Sequence, residues 1–139
     1  MKVLVLGKAT ERSESGELGS PEEFAAMDRY FQQLNEAGIV LAADGLQPSS
    51  KAVRVDVGAD GTARVIDGPF AETKELVAGY SIWEVSSMDE AIEWARRSPV
   101  EGVVELRKIL DVEDFPDSFP AELASADERS REESATKPK

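Results

Sequence analysis

Two four-residue boxes constrain what this chain can fold into more than any other feature. Ser20-Pro21-Glu22-Glu23 and Ser87-Met88-Asp89-Glu90 each place a serine at a helix N-cap and a glutamate three residues later. In that pattern two amide donors that the first helical turn leaves orphaned find side-chain acceptors. The first box adds a proline at the first helical position, where its missing N–H costs nothing. Phe24, Met27, Phe31 and Leu34 follow at helical spacing, and Gly38 stands where a glycine ends a helix. After the second box Ala91, Ile92 and Ala95 face inward, and Pro99 prevents the helix from continuing. Short apolar runs flank both helices: "MKVLVLG" and "IVLAA" around the first, "LVAGYSIWEV" and "VVELRKI" around the second. Between the two units, "AVRVDV" alternates Val53, Val55 and Val57 against Arg54 and Asp56. Asp60-Gly61 is a hairpin turn signal, and "TARVI" returns antiparallel.

The order is therefore β-α-β, a hairpin, and β-α-β. With the hairpin set aside as an insertion, this is the split-βαβ, ferredoxin-like α+β plan, an antiparallel sheet with both helices on one face. The strands at 3–6 and 76–85 are apolar on both sides, so the other face also needs cover. Pairing two sheets face to face supplies it, and the pattern predicts a homodimer. Residues 1–110 form this domain. Residues 111–139 carry nine acids and four bases and little periodic apolar content, so they are expected to be an acidic, partly disordered tail. Phe115 and Phe119 are the exception, as aromatics able to dock on the body or on a second subunit. Residues 120–139 are expected to be solvated.

Composition excludes several chemistries. The chain has no cysteine and no histidine, which removes disulfides, thiolates, the commonest general base and the commonest transition-metal ligand. Proton transfer would fall to carboxylates, Lys, Arg or Tyr. A net charge of −12 argues against direct nucleic-acid binding. The apolar run Val3 to Leu6 is too short for a signal peptide or a membrane span, which makes the cytoplasm the default location.

The stretch "DGPFAETKE", Asp67 to Glu75, concentrates the remaining chemistry. Pro69 has its φ fixed and pushes Gly68 out of the α region, giving a stiff corner with Phe70 as its anchor. Turn chemistry explains each of these residues, Asp67 included. If the corner faces a cavity, Asp67 becomes a desolvated carboxylate suited to act as a general base. Glu72 and Lys74 would then join the site, and Arg54, Lys74 or Arg107 would hold an anionic group. The alternative for Arg54 and Arg107 is pairing with Asp56 or Glu105 on the sheet. Asp44, in the "ADGLQP" turn, is a further candidate for the pocket. No spacing demands a metal from Asp44, Asp67 and Glu72, and no cofactor or metal is expected.

"DGPFAETKE", with upstream "GLQP" and downstream "SMDEAIEWA" and "VELR", resembles the YCII-related proteins of the DGPF type, from Met1 to about Ile109. The resemblance implies a dimeric α+β barrel with a pocket near the subunit interface. Many genes of that family lie beside genes for extracytoplasmic-function sigma factors, so it also implies a possible accessory or regulatory role. Enzyme-like members use a His–Asp dyad, with the Asp just before a Pro after the second helix. Here Ser98 precedes Pro99 and no histidine exists, so the dyad does not transfer. The expectation is a homodimer binding a small, anionic or polar molecule, with carboxylate acid–base chemistry as one option. The alternative is a non-catalytic partner of a sigma factor.

Overall fold

The computed structural model describes residues 1–136. Its strands are β1 (Lys2–Lys8), β2 (Val40–Gly45), β3 (Val53–Val57), β4 (Ala63–Asp67), β5 (Val77–Glu84) and β6 (Val104–Lys108). The helices are α1 (Glu11–Glu14), α2 (Pro21–Glu36), α3 (Met88–Ala95) and α4 (Ala121–Thr136). A four-stranded sheet runs in the order β2-β5-β1-β6 with every neighbouring pair antiparallel. This is the split-βαβ plan, and β3 and β4 pair only with each other as the inserted hairpin.

Both helix starts form where the boxes put them, with one change. Ser20 accepts from the Glu23 amide and Ser87 from the Glu90 amide. The return half of each box is diverted. Glu23 instead takes the Arg12 guanidinium at 3.0 and 3.1 Å, which holds its carboxyl below the usual range, and Glu90 accepts from Ser86 at 2.8 Å. Gly38 ends α2 at a φ of 72°, a conformation that disfavours any residue with a Cβ.

One face of the sheet carries the core. Val3, Val5 and Trp83 from the strands meet Tyr30 and Leu34 of α2 and Ala91 of α3, all buried. Tyr30, which the helical spacing passes over, is buried because its hydroxyl finds the Trp94 carbonyl at 2.6 Å and so ties α2 to α3. The opposite face carries Leu4, Leu6 and Ile82, with Glu105 and Arg107 beside them on β6, as the alternation of β6 predicts.

One segment lies outside the sequence reading and a second departs from it. The polar loop after β1 folds one helical turn, α1, because Thr10 and Ser13 make a reciprocal capping box. Residues 121–136, expected to be a solvated tail, form α4. The segment is rich in Ala, Glu and Arg, which favour a helix even where little is buried, and Ala124 alone among its described side chains is fully enclosed. Ahead of α4, the Phe115 and Phe119 rings lie 4.9 Å apart. Residues 137–139, assigned to the same tail, lie outside the described residues.

Candidate functional site

The register of the sheet sets up a gradient of side-chain size beneath the helices. At one end Val40, Trp83 and Val3 stand side by side across β2, β5 and β1, and this row is packed solid. One step along, the row is Ala43, Ser81 and Val5. At the far end it is Gly45, Gly79 and Gly7, three neighbouring residues with no side chains. A Cβ built on Gly45 would meet nothing within 4 Å, and one on Gly7 would find its nearest atom, the Gly79 carbonyl, at 3.6 Å. Above this bare floor lies a cavity of about 890 Å³. Helix α2, from Phe24 to Asn35, walls one side and the loop from Ser98 to Val103 walls the other.

The walls are aromatic and aliphatic near the mouth. Phe24, Leu41, Val100 and Val103 line the cavity and are 58%, 54%, 45% and 69% exposed, so apolar surface there faces water. Toward the floor the polar groups are few and unpaired. Ser81 is 3% exposed and, among the described residues, its hydroxyl makes no hydrogen bond. Trp83 is 1% exposed, and its Nε1, itself sealed from solvent, has no partner among the described residues. Strand alternation puts both residues on the helix side, where the cavity is. Burial pushes the Tyr30 phenol up to about 12, against the opposing pull of the Arg97 charge, so it stays protonated at neutral pH. Ser98 also lines the cavity and exchanges long bonds with Val100 that brace the loop.

Of the residues singled out by sequence, Asp44 borders this cavity. Its side chain, on the other face of the sheet, accepts from the Tyr80 hydroxyl at 3.0 Å. That bond, and then the carboxylate charge, raise the Tyr80 pKa. Asp67, Glu72, Lys74, Arg54 and Arg107 do not line it. Asp67 ends β4 in the exposed hairpin, and Glu72 and Lys74 sit on an exposed one-turn 3-10 helix, Thr73–Glu75, and its cap. Arg107 lies 3.8 Å from Glu105, the sheet pairing weighed for it. Among the described residues no three His, Cys, Asp or Glu side chains gather as a metal site.

The corner itself is a brace. The Gly68 amide donates to the Ala52 carbonyl at 2.9 Å, and the Phe70 amide to Ser49 Oγ at 3.1 Å. The Ser49 amide and hydroxyl both donate to the Glu14 carboxylate, the first at 2.9 Å. Arg54 lies over the Phe70 ring, 3.7 Å from its centroid, a cation–π contact. Gly68 is obligatory here, since a Cβ would fall 1.7 Å from the Ser49 carbonyl oxygen. The motif thus ties three separated segments together at the root of the hairpin.

What sequence reasoning missed is the glycine floor. The signal was present, because Gly7, Gly45 and Gly79 each interrupt or end an apolar run, but only register brings them together.

An uncharacterised protein of Rhizobium meliloti (strain 1021) is 33% identical over 91 residues, covering 63% of this chain and 70% of that protein. A solved 5-chloro-2-hydroxyhydroquinone dehydrochlorinase from Burkholderia phenoliruptrix, in complex with 2,5-dihydroxybenzoquinone, superposes with a TM-score of 0.44 at 14% identity, covering 84% of this chain and 100% of that one. Residues 1–113 match the YCII-related domain, and the chain belongs to that family.

Proposed function

We propose that this protein binds a small organic molecule in the cavity between α2 and the glycine row of the sheet. The observation that carries the reading is the row itself: Gly45, Gly79 and Gly7 leave a flat backbone floor under aromatic walls. A sheet packed only for stability would fill that row with Val or Ile, as it does with Val40 and Val3 at the other end. Largely apolar lining with a few convergent polar groups is what a small-molecule site requires. Ser81, whose hydroxyl on the floor has no partner among the described residues, is the group best placed to orient a ligand. The Asp67 corner supports the site from a distance by fixing the hairpin, in place of the base role considered for it.

The working unit in this reading is a cytoplasmic homodimer joined across the open sheet face. Leu4, Leu6 and Ile82 support it, being apolar side chains on the face opposite the one that packs against α2 and α3. A second reading, an accessory protein for a partner such as a sigma factor, draws on the hairpin. Val53, Val55, Val57 and Val65 share one face of it and are each at least 60% exposed.

The test is Gly45→Leu. The new side chain enters open space, so the fold tolerates it while the cavity fills. A ligand at about a hundred times its Kd adds about 2.7 kcal/mol to the stability of wild type. The variant is expected to lose that gain. Equal ligand-induced thermal shifts in both proteins would remove the cavity as the site.

A further inference from the structure

We propose that the cavity takes a planar aromatic molecule carrying a positive charge at the mouth and a neutral polar group at the floor; the proposal rests on the cavity being the binding site. The charges around the mouth are unequal. Asp28 on α2 and Glu101 on the facing loop border the opening from its two walls, and both are exposed. Among the described residues no arginine lines the cavity. Lys8 is the cation in the lining, and its ammonium lies 4.0 Å from the Glu105 carboxylate, which offsets it. The chain as a whole carries −12, so the long-range field adds to the local one. An anionic ligand would enter against both. A cation gains from the two carboxylates and from Phe24 and Phe31, aromatic rings that line the same cavity.

The floor asks for something different. Ser81 faces the cavity by strand alternation and lines it, and among the described residues its hydroxyl has no partner. A hydroxyl there can give one hydrogen bond and accept another, which suits a phenol or a carbonyl rather than a charge. The bare glycine backbone between Ser81 and the mouth leaves room for a flat ring and no side chain to interrupt it. Cationic end out, ring on the glycines and phenol inward is the arrangement these groups describe.

Matched probes separate the two layers of the argument. Tyramine, 4-ethylphenol and 4-hydroxyphenylacetate share a phenol and differ in tail charge, and titration calorimetry of the full chain ranks them. Tyramine is expected to bind about tenfold tighter than 4-hydroxyphenylacetate at low salt, with 4-ethylphenol between, and the ratio should shrink as salt is raised. Asp28→Asn and Glu101→Gln should each narrow that ratio without changing 4-ethylphenol binding. Ser81→Ala should bring tyramine down to the level of 2-phenylethylamine, which lacks the phenol. Equal or tighter binding of the anion would overturn the charge assignment and leave the cavity reading intact. Failure of all three probes to bind at millimolar concentration, or equal binding by Gly45→Leu, would overturn both.

Discussion

Gly68→Ala separates structural duty from ligand duty in the Asp67–Glu75 stretch. The added Cβ would sit 1.7 Å from the Ser49 carbonyl oxygen, 2.8 Å from the Ser49 carbonyl carbon and 3.2 Å from the Ala52 carbonyl oxygen. All three are backbone atoms, so no side chain can swing aside; the 49–52 segment must move away bodily. That movement breaks the Gly68-to-Ala52 and Phe70-to-Ser49 hydrogen bonds, each worth about 1 kcal/mol net. The residual crowding costs about 1–3 kcal/mol more. The sum is a destabilisation of about 3–5 kcal/mol, a large part of the roughly 5–15 kcal/mol that holds a domain folded. Gly45→Ala is the matched control, because its Cβ meets nothing within 4 Å. It should be neutral or gain up to about 1 kcal/mol by restricting the unfolded chain. Urea unfolding at one fixed protein concentration measures both, and with m near 1–3 kcal/mol/M the Gly68→Ala midpoint should fall by at least about 1 M. A Gly68→Ala protein within about 1 kcal/mol of wild type would refute the brace, since crowding of this kind is not relieved that cheaply.

Other perturbations follow from the same contacts. Asp67→Asn should leave both ligand-induced thermal shifts and any turnover unchanged, because Asp67 is exposed and outside the cavity; loss of either would return the residue to the site. Stability should decline as pH rises from 10 toward about 12, because the unfolded Tyr30 phenol ionises while the buried one does not. Tyr30→Phe should flatten that slope in alkaline thermal melts, and an unchanged slope would contradict the burial. Ile82→Lys, on the sheet face opposite α2 and α3, should convert the protein to a monomer by sedimentation; a monomeric wild type at micromolar concentration would refute the dimer.

The framework was legible because its signals are local. Ser20 and Ser87 lie within three residues of the amides they cap, Gly38 acts on its own φ, and alternation in "VVELRKI" needs only a period of two. Hence α2, α3, the succession of strands along the chain and the sides of β6 follow directly from the string. The cavity was not legible because it is made by absence and by register. Gly7, Gly45 and Gly79 lie on three strands far apart in sequence, and each alone looks like the end of an apolar run. Asp67–Glu75 drew the functional reading for the opposite reason, having many ionisable groups in a short stretch. Where such groups point depends on what the corner packs against, and here Phe70 and Gly68 turn toward Ser49 and Arg54. Charge density along a sequence marks solvent at least as often as it marks a site. The helix at 121–136 was missed because low apolar content was read as disorder, although its residues favour a helix individually.

Amide chemical-shift perturbation locates a bound ligand directly. Titrating tyramine into the labelled protein should move the backbone resonances of Gly7, Gly45, Gly79 and Ser81, with those of Asp67 to Glu75 unchanged. Shifts confined to Asp67–Glu75, with the glycine row silent, would contradict the cavity and restore the corner as the site.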